Sequence, residues 1–295
     1  NTGIELDINY RESRGELNWN AGFNIAFMKN KVKEMANKNQ ILYGSYSATQ
    51  TRSGKAIATF YLYETDGIFQ NMAEGYAHGT SIEDIELTPY ELKITVKRDK
   101  NLPKAIVTFK DNNGNGEIDA ADKVAMGCGA PKVEANLSLG LEYKGFDLSI
   151  FFQWSYGNDV LNANRLFFEN VNNSRNLNQY ATYADRWTPE NPTSNIPVAK
   201  NSSSNKVVSS RVIEDGSFLR LKTLTLGYTL PKKALRKWGI STARVYVAGQ
   251  NLWTISGYSG YDPEVSIRNS ALTPGLDYSA YPRAYAVNFG INLGF

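Results

Sequence analysis

The feature that most constrains this chain is a two-residue rhythm held over long stretches. At 284–295, Tyr285, Val287, Phe289, Ile291, Leu293 and Phe295 alternate with Ala286, Asn288, Gly290, Asn292 and Gly294. At 133–143, Val133, Ala135, Leu137, Leu139, Leu141 and Tyr143 alternate with Glu134, Asn136, Ser138, Gly140 and Glu142. Successive side chains of a β-strand point to opposite faces. Each stretch therefore reads as a strand with one apolar and one polar face. The pattern predicts strands at about 2–11, 16–28, 133–143, 146–156, 217–229, 242–251 and 284–295. The stretch 217–229 is imperfect, because Leu224, Leu226 and Tyr228 share a parity with Arg220 and Lys222. A bulge, or an upper part leaving the apolar environment, accounts for that.

Soluble sandwiches alternate as well. Three details favour a barrel wall in lipid. The strands are longer than the usual ~5–6 residues of globular strands. Their polar face is rich in Gly, Asn and Ser, which suits a crowded or wet lumen. Short connections (12–15, 144–145, 231–241) alternate with long ones (29–131, 157–216, 252–283). Short periplasmic turns and long external loops are the outer-membrane pattern. If Phe295 ends on the periplasmic side, every short connection falls inside and every long one outside. Seven strands are fewer than the ~8 of the smallest closed bacterial barrel. The sheet is therefore expected to need the remainder of its own barrel.

Composition excludes other classes. No run approaches the ~20 apolar residues of a membrane helix. A net charge of +3, spread along the chain, does not indicate a nucleic-acid partner. Trp, Tyr and Phe make up 12% of residues, which suits strands and interfacial girdles. Trp154, Tyr156 and Tyr143 lie on the lipid parity and are expected in such a girdle. The single Cys128 allows no intrachain disulfide, and the single His78 reads as a loop residue. Asn1 leads directly into a strand with no signal peptide before it, so an upstream portion is expected. The carboxylate pairs Glu214–Asp215 and Asp262/Glu264 have no base, nucleophile or metal cluster beside them. The chain is expected not to be an enzyme.

One motif carries specific chemistry. Asp111-Asn-Asn113-Gly-Asn115-Gly116-Glu117-Ile-Asp119-Ala-Ala-Asp122 has the spacing of a twelve-residue calcium loop. Asp111, Asn113, Asn115, Asp119 and Asp122 supply side-chain oxygens, Glu117 a carbonyl, and Gly116 the sharp turn. Asn at two positions and Asp at the last reduce the charge, which predicts structural calcium held at ~10⁻⁴–10⁻³ M. The alternative is a solvated Asn/Gly turn. Arg220, Lys222, Arg244 and Tyr246 are expected to line the lumen, contacting cargo or packing against a plug. Lys232, Lys233, Arg236 and Lys237 read as a solvated basic turn.

An ordered set of segments carries a family resemblance: Thr65-Asp-Gly-Ile-Phe-Gln70, 111–122 followed by Gly127, Asp185-Arg-Trp-Thr-Pro-Glu-Asn-Pro192, Ile213 to Lys222, Leu226-Gly-Tyr-Thr-Leu-Pro231, Gly249-Gln-Asn-Leu252 and Gly260-Tyr-Asp-Pro-Glu264. Together they resemble the C-terminal half of SusC/RagA-type TonB-dependent transporters. The resemblance implies an all-β fold, an antiparallel transmembrane β-barrel of about 22 strands with long extracellular loops. It implies an N-terminal plug and a TonB-contacting segment outside this chain, and a SusD-like surface lipoprotein as lid. It also implies energy from TonB-ExbB-ExbD and import of oligosaccharides or peptides across the outer membrane. Two other readings stay open: a secreted β-rich, calcium-stabilised glycan-binding module, and a passive porin.

Overall fold

The computed structural model describes residues 1–37, 40–68, 82–87, 92–96, 107–115, 118–170, 178–188, 190–191, 193–197, 207–265 and 270–295. His78, Gly116 and Glu117 lie outside them. One antiparallel sheet of seven strands dominates: β1 (Thr2–Arg14), β2 (Leu17–Lys29), β3 (Val133–Tyr143), β4 (Phe146–Tyr156), β5 (Phe218–Thr229), β6 (Thr242–Ser256) and β7 (Ala286–Gly294). Each pairs with its neighbours in chain order, as expected of a meander. β1 and β7 are open edges that do not pair with each other among the described residues. Unpaired backbone in lipid costs several kcal/mol per group, so this sheet requires strands beyond both edges.

The register keeps the apolar residues of all seven strands on one face. Ile8 sits opposite Phe23, Phe23 opposite Leu137, and Leu137 opposite Phe152. The parity break in β5 is a bulge. Phe151 pairs with Thr223 but Phe152 pairs with Leu221, leaving Lys222 over. Leu219 and Leu221 thereby join Leu224 and Leu226 on the apolar face, and Arg220 turns to the polar one. The β3–β4 turn is Lys144–Gly145, with φ of 49° and 86°. Positive φ at both central residues is what a right-twisted two-residue hairpin turn demands.

The apolar face is bare. Ile4 is 74% exposed and Phe289 83%. Aromatic pairs mark both ends of this face. Tyr10–Trp19 (4.9 Å) and Phe146–Tyr228 (4.5 Å) lie toward the short turns. Trp154–Tyr156 (6.0 Å) and Phe152–Trp253 (6.3 Å) lie toward the long connections. Phe146 and Trp154 are eight residues apart on β4, which at ~3.3 Å per residue and ~40° of tilt separates the belts by about 20 Å. That is close to the ~25 Å apolar band of a membrane barrel. No helix among the described residues is long and apolar enough to cross a membrane.

The three long connections form a cap at one end of the sheet. They contribute small sheets, including 42–43, 49–51, 59–62 and 124–128 in one, and 159–162, 213–215 and 276–277 in another. One core joins them: Ala48, Phe60 and Leu62 from the first connection, Leu161, Ala163, Leu166 and Val212 from the second, Leu276 from the third. Phe60 and Val212 are wholly buried. Described parts of all three connections therefore share one core, which their polar composition did not suggest.

Candidate functional site

The polar face of the sheet is tiled with side chains lying flat. Asp147 on β4 and Arg244 on β6 are separated by β5, where Gly227 pairs with both Asp147 and Tyr246. The Arg244 guanidinium crosses that gap, with Nε and Nη2 donating to Asp147 at 2.9 and 2.5 Å. A Cβ on Gly227 would lie 2.5 Å from both partners, so a larger residue there would push the pair aside. Tyr246 covers Gly290 in the same way, at 2.4 Å from where its Cβ would be. The Arg244 guanidinium lies 4.9 Å from the Tyr246 ring. Two of the four expected lumen residues thus lie on the polar face, already engaged with each other and with Asp147.

The other two sit at the cap end. Arg220 is 2% exposed. Its Nη2 donates to Asp262 at 2.5 Å and its Nη1 to Glu264 at 3.1 Å. Lys222 Nζ reaches Glu264 at 2.7 Å, and Arg283 pairs with the other Glu264 oxygen at 3.0 Å. Asp262 also accepts the backbone N–H groups of Arg283 and Glu264 at 2.9 Å. Burial works to raise the Asp262 carboxyl, but these hydrogen bonds and the Arg220 charge outweigh it, so the group is held below the usual carboxylate range. The cluster fastens the third long connection to the wall. Gly227, under the Arg244 pair, is seven positions along β5 from Arg220, or about 23 Å at ~3.3 Å per residue. The structure therefore divides the four candidates between two separate clusters.

A second ionic network lies inside the cap. Arg165 reaches Glu169 at 2.9 Å and Glu214 at 3.2 Å, and Arg211 reaches Glu169 at 3.2 Å. Burial first, then the Arg165 charge, pulls the Arg211 guanidinium below its ordinary value. Glu214 also accepts from the Ser259 N–H and hydroxyl, both at 2.8 Å. Tyr258, buried beside Ser259, donates to Asp277 at 2.7 Å. Of the carboxylate pairs singled out in the sequence, Glu214 therefore joins cap segments, and Asp262 and Glu264 join the cap to the wall. The Cys128 thiol is raised by burial and donates to the Ile57 carbonyl at 3.4 Å.

The 111–122 loop is organised by Asp122, which is 0% exposed. Its Oδ1 accepts the N–H groups of Asn112 (2.9 Å) and Asn113 (3.3 Å), and its Oδ2 that of Asp119 (2.8 Å). Asp111 accepts from Gly114 N–H, Asn113 from Asn115 N–H and Asp119 from Ala121 N–H, at 2.6, 2.9 and 2.6 Å. Among the described residues, no three His, Cys, Asp or Glu side chains are grouped to hold a metal ion. Side-chain oxygens of Asp111, Asn113, Asp119 and Asp122 thus accept from the loop's own backbone donors.

A bare apolar face between two aromatic belts, a flat polar face and a cap at one end define a stretch of transmembrane β-barrel wall. No protein-family model matches the chain. Over its full length it is 34% identical to "TonB-dependent receptor P3" of Formosa agariphila, covering 28% of that protein. It is 26% identical to "TonB-dependent receptor SusC" of Bacteroides thetaiotaomicron, covering 26% of it. The solved RagAB peptide transporter superposes on 99% of the chain with a TM-score of 0.71 at 23% identity, covering 29% of that structure's chain. Over its full length the chain is similar to a part of these TonB-dependent receptors, and it shares the barrel fold of the corresponding part of the RagAB transporter. It spans under a third of the length of these relatives, whose names describe receptors and a transporter.

Proposed function

We propose that the chain forms wall and cap of a TonB-dependent importer that moves oligosaccharides, or alternatively peptides, across the outer membrane of a Gram-negative bacterium. The observation that carries this reading is the division of the molecule: a lipid-facing sheet with a tiled inner face, joined to an ion-paired cap at one end. A passive porin needs no such elaborate cap, and a secreted module would not leave this much apolar surface bare. The proposed partners are a SusD-like surface lipoprotein against the cap, TonB-ExbB-ExbD through regions outside this chain, and outer-membrane lipid. The test is uptake by intact cells. Deleting the gene should abolish accumulation of one nutrient class, and removing TonB should do the same with the protein still present in outer-membrane fractions. Unchanged uptake of every nutrient after deletion would overturn the reading.

For the 111–122 loop, we propose a structural brace with calcium as its ion. The proposal rests on the residue spacing, with Asp122 as the hub. Calcium at millimolar levels should then slow proteolysis of this loop, and a chelator should reverse the effect. Indifference to both leaves Asp122 and its backbone donors as the whole of the brace.

A further inference from the structure

Charge at the short-turn end of the wall is unevenly placed. Lys144, in the β3–β4 turn, reaches Glu16, in the β1–β2 turn, at 3.6 Å, so those two turns answer each other. The β5–β6 turn instead carries Lys232, Lys233, Arg236 and Lys237, with no acidic residue from Pro231 to Ser241. All four cations are exposed. Among the described residues none of them takes part in a salt bridge.

The sequence folds this turn into a compact unit. A one-turn helix, Lys232–Leu235, runs into a 3-10 turn, Arg236–Trp238, that stops on Gly239 at a φ of 67°. A left-handed residue is the usual helix stop, and glycine adopts it without strain. Helical spacing sets Lys232 near Arg236 and Lys233 near Lys237, and like charges at that spacing repel. Leu235 is the buried residue of the turn. The helix packs against β6, where Ala243 is buried although it shares the apolar parity of Val245 and Val247. Packing there sets the turn at the end of the apolar face. Trp238 keeps its ring 77% exposed. The Ser241 N–H donates to the Gly294 carbonyl at 2.8 Å, which brings the exposed Phe295 beside the turn. Trp238 and Phe295 thus continue the aromatic belt of Phe146 and Tyr228.

We propose that the β5–β6 turn is a binding site for an anionic phospholipid of the leaflet at this end of the wall. Its phosphate lies among Lys232, Lys233, Arg236 and Lys237, and its glycerol and upper acyl region lie against Trp238. The proposal rests on the lipid-facing reading of the wall and adds a lipid preference to it. Charge complementarity selects the occupant. An anion relieves the repulsion among four clustered cations, whereas a zwitterionic headgroup brings no net charge. Depth agrees with charge. Trp rings settle at headgroup level, and long Lys and Arg side chains reach from an apolar edge to the phosphates. A soluble acidic partner would meet the same charges but would gain nothing from a ring set in the belt.

The test uses the intact transporter with its lid protein, purified in detergent, and counts retained lipids by native mass spectrometry. At low salt the wild type should prefer phosphatidylglycerol over phosphatidylcholine by at least about fivefold, the order that one engaged cation gives. The combined variant Lys232→Gln, Lys233→Gln, Arg236→Gln, Lys237→Gln should bind the two lipids alike. Trp238→Ala should weaken both together. Lys31→Gln with Lys33→Gln, exposed cations at the start of the first long connection, should keep the wild-type preference. Heat-modifiable gel mobility verifies that each variant's barrel is folded. No preference in the wild type, or a preference that survives the combined variant, overturns the site. Loss of preference in the Lys31 and Lys33 variant as well overturns it in favour of general surface charge. Displacement of the lipid by an equal concentration of glycerol 3-phosphate overturns the lipid assignment. Failure of the wall reading is seen separately, as absence of the protein from outer-membrane fractions, and failure of the transport reading as unchanged uptake in the deletion strain.

Discussion

The wall and the cap use the same apolar residues in opposite ways. On the wall, Ile4, Phe289 and Leu226 face outward and are bare. In the cap, Phe60, Leu62 and Val212 are sealed inside. The polar groups are reversed too. The wall turns Asp147, Arg244 and Tyr246 toward the lumen, whereas the cap joins its segments through Arg165, Glu169, Arg211 and Glu214. Apolarity therefore does not say where a residue lies. The surrounding solvent does: lipid around the wall, water around the cap.

The comparison is put at risk most severely by trimming one side chain in each region. Phe60→Ala should cost ~3–5 kcal/mol, because the closed cap core cannot refill the void. Its signature is rapid protease cleavage in the long connections while heat-modifiable barrel mobility persists. Leu224→Ala, on the outer face of the wall, should cost far less, since lipid can occupy the vacated space. Equal losses at the two positions would mean that the wall's apolar face is covered by protein.

Leu224→Arg sharpens the same contrast. Near the middle of the apolar band it should cost ~2–4 kcal/mol, read from urea unfolding in phospholipid bilayers. Lys222, two positions away, carries its charge without that penalty because the bulge and Glu264 take it out of the band.

Asp122→Asn probes the cap's first connection and should cost ~1–3 kcal/mol, because the new amide sets a donor against backbone donors. Limited proteolysis should show cleavage near 111–122 with the rest of the cap intact. A uniform loss of the cap instead would show that this loop is not a separate brace.

The mildest effect is the acid response of the third connection. The Asp262 carboxyl is depressed in the folded protein. Its contribution is therefore fully present above the unfolded carboxylate value, ~4, and is lost as pH falls through the lower folded value. Protease sensitivity of 257–285 should stay flat from neutral pH down to that range and rise only below it. A rise already at pH 6 would assign the anchor to another group.

The wall was legible because lipid on one side and a polar lumen on the other enforce alternation. The jog in β5 was legible as a fault in that alternation, but its form was not. Only the pairing of Phe151 with Thr223 and Phe152 with Leu221 showed Lys222 to be the extra residue. Arg220, Lys222, Arg244 and Tyr246 were legible as polar-face candidates. Their division into two clusters was not, since Asp262 and Glu264 are some forty positions from Arg220. The glycines beneath Arg244 and Tyr246 were legible only as small residues. Their reason is cross-strand contact.

The sequence by itself determined the class of fold, the faces of the wall strands and the alternation of short and long connections, all of which arise from neighbours along a strand. The tertiary structure alone decided that the three long connections share one core, that the Asp262 cluster pins the cap to the wall, and that Asp147 and Arg244 meet across β5. Those features join residues tens to hundreds of positions apart, and no local periodicity encodes such a meeting.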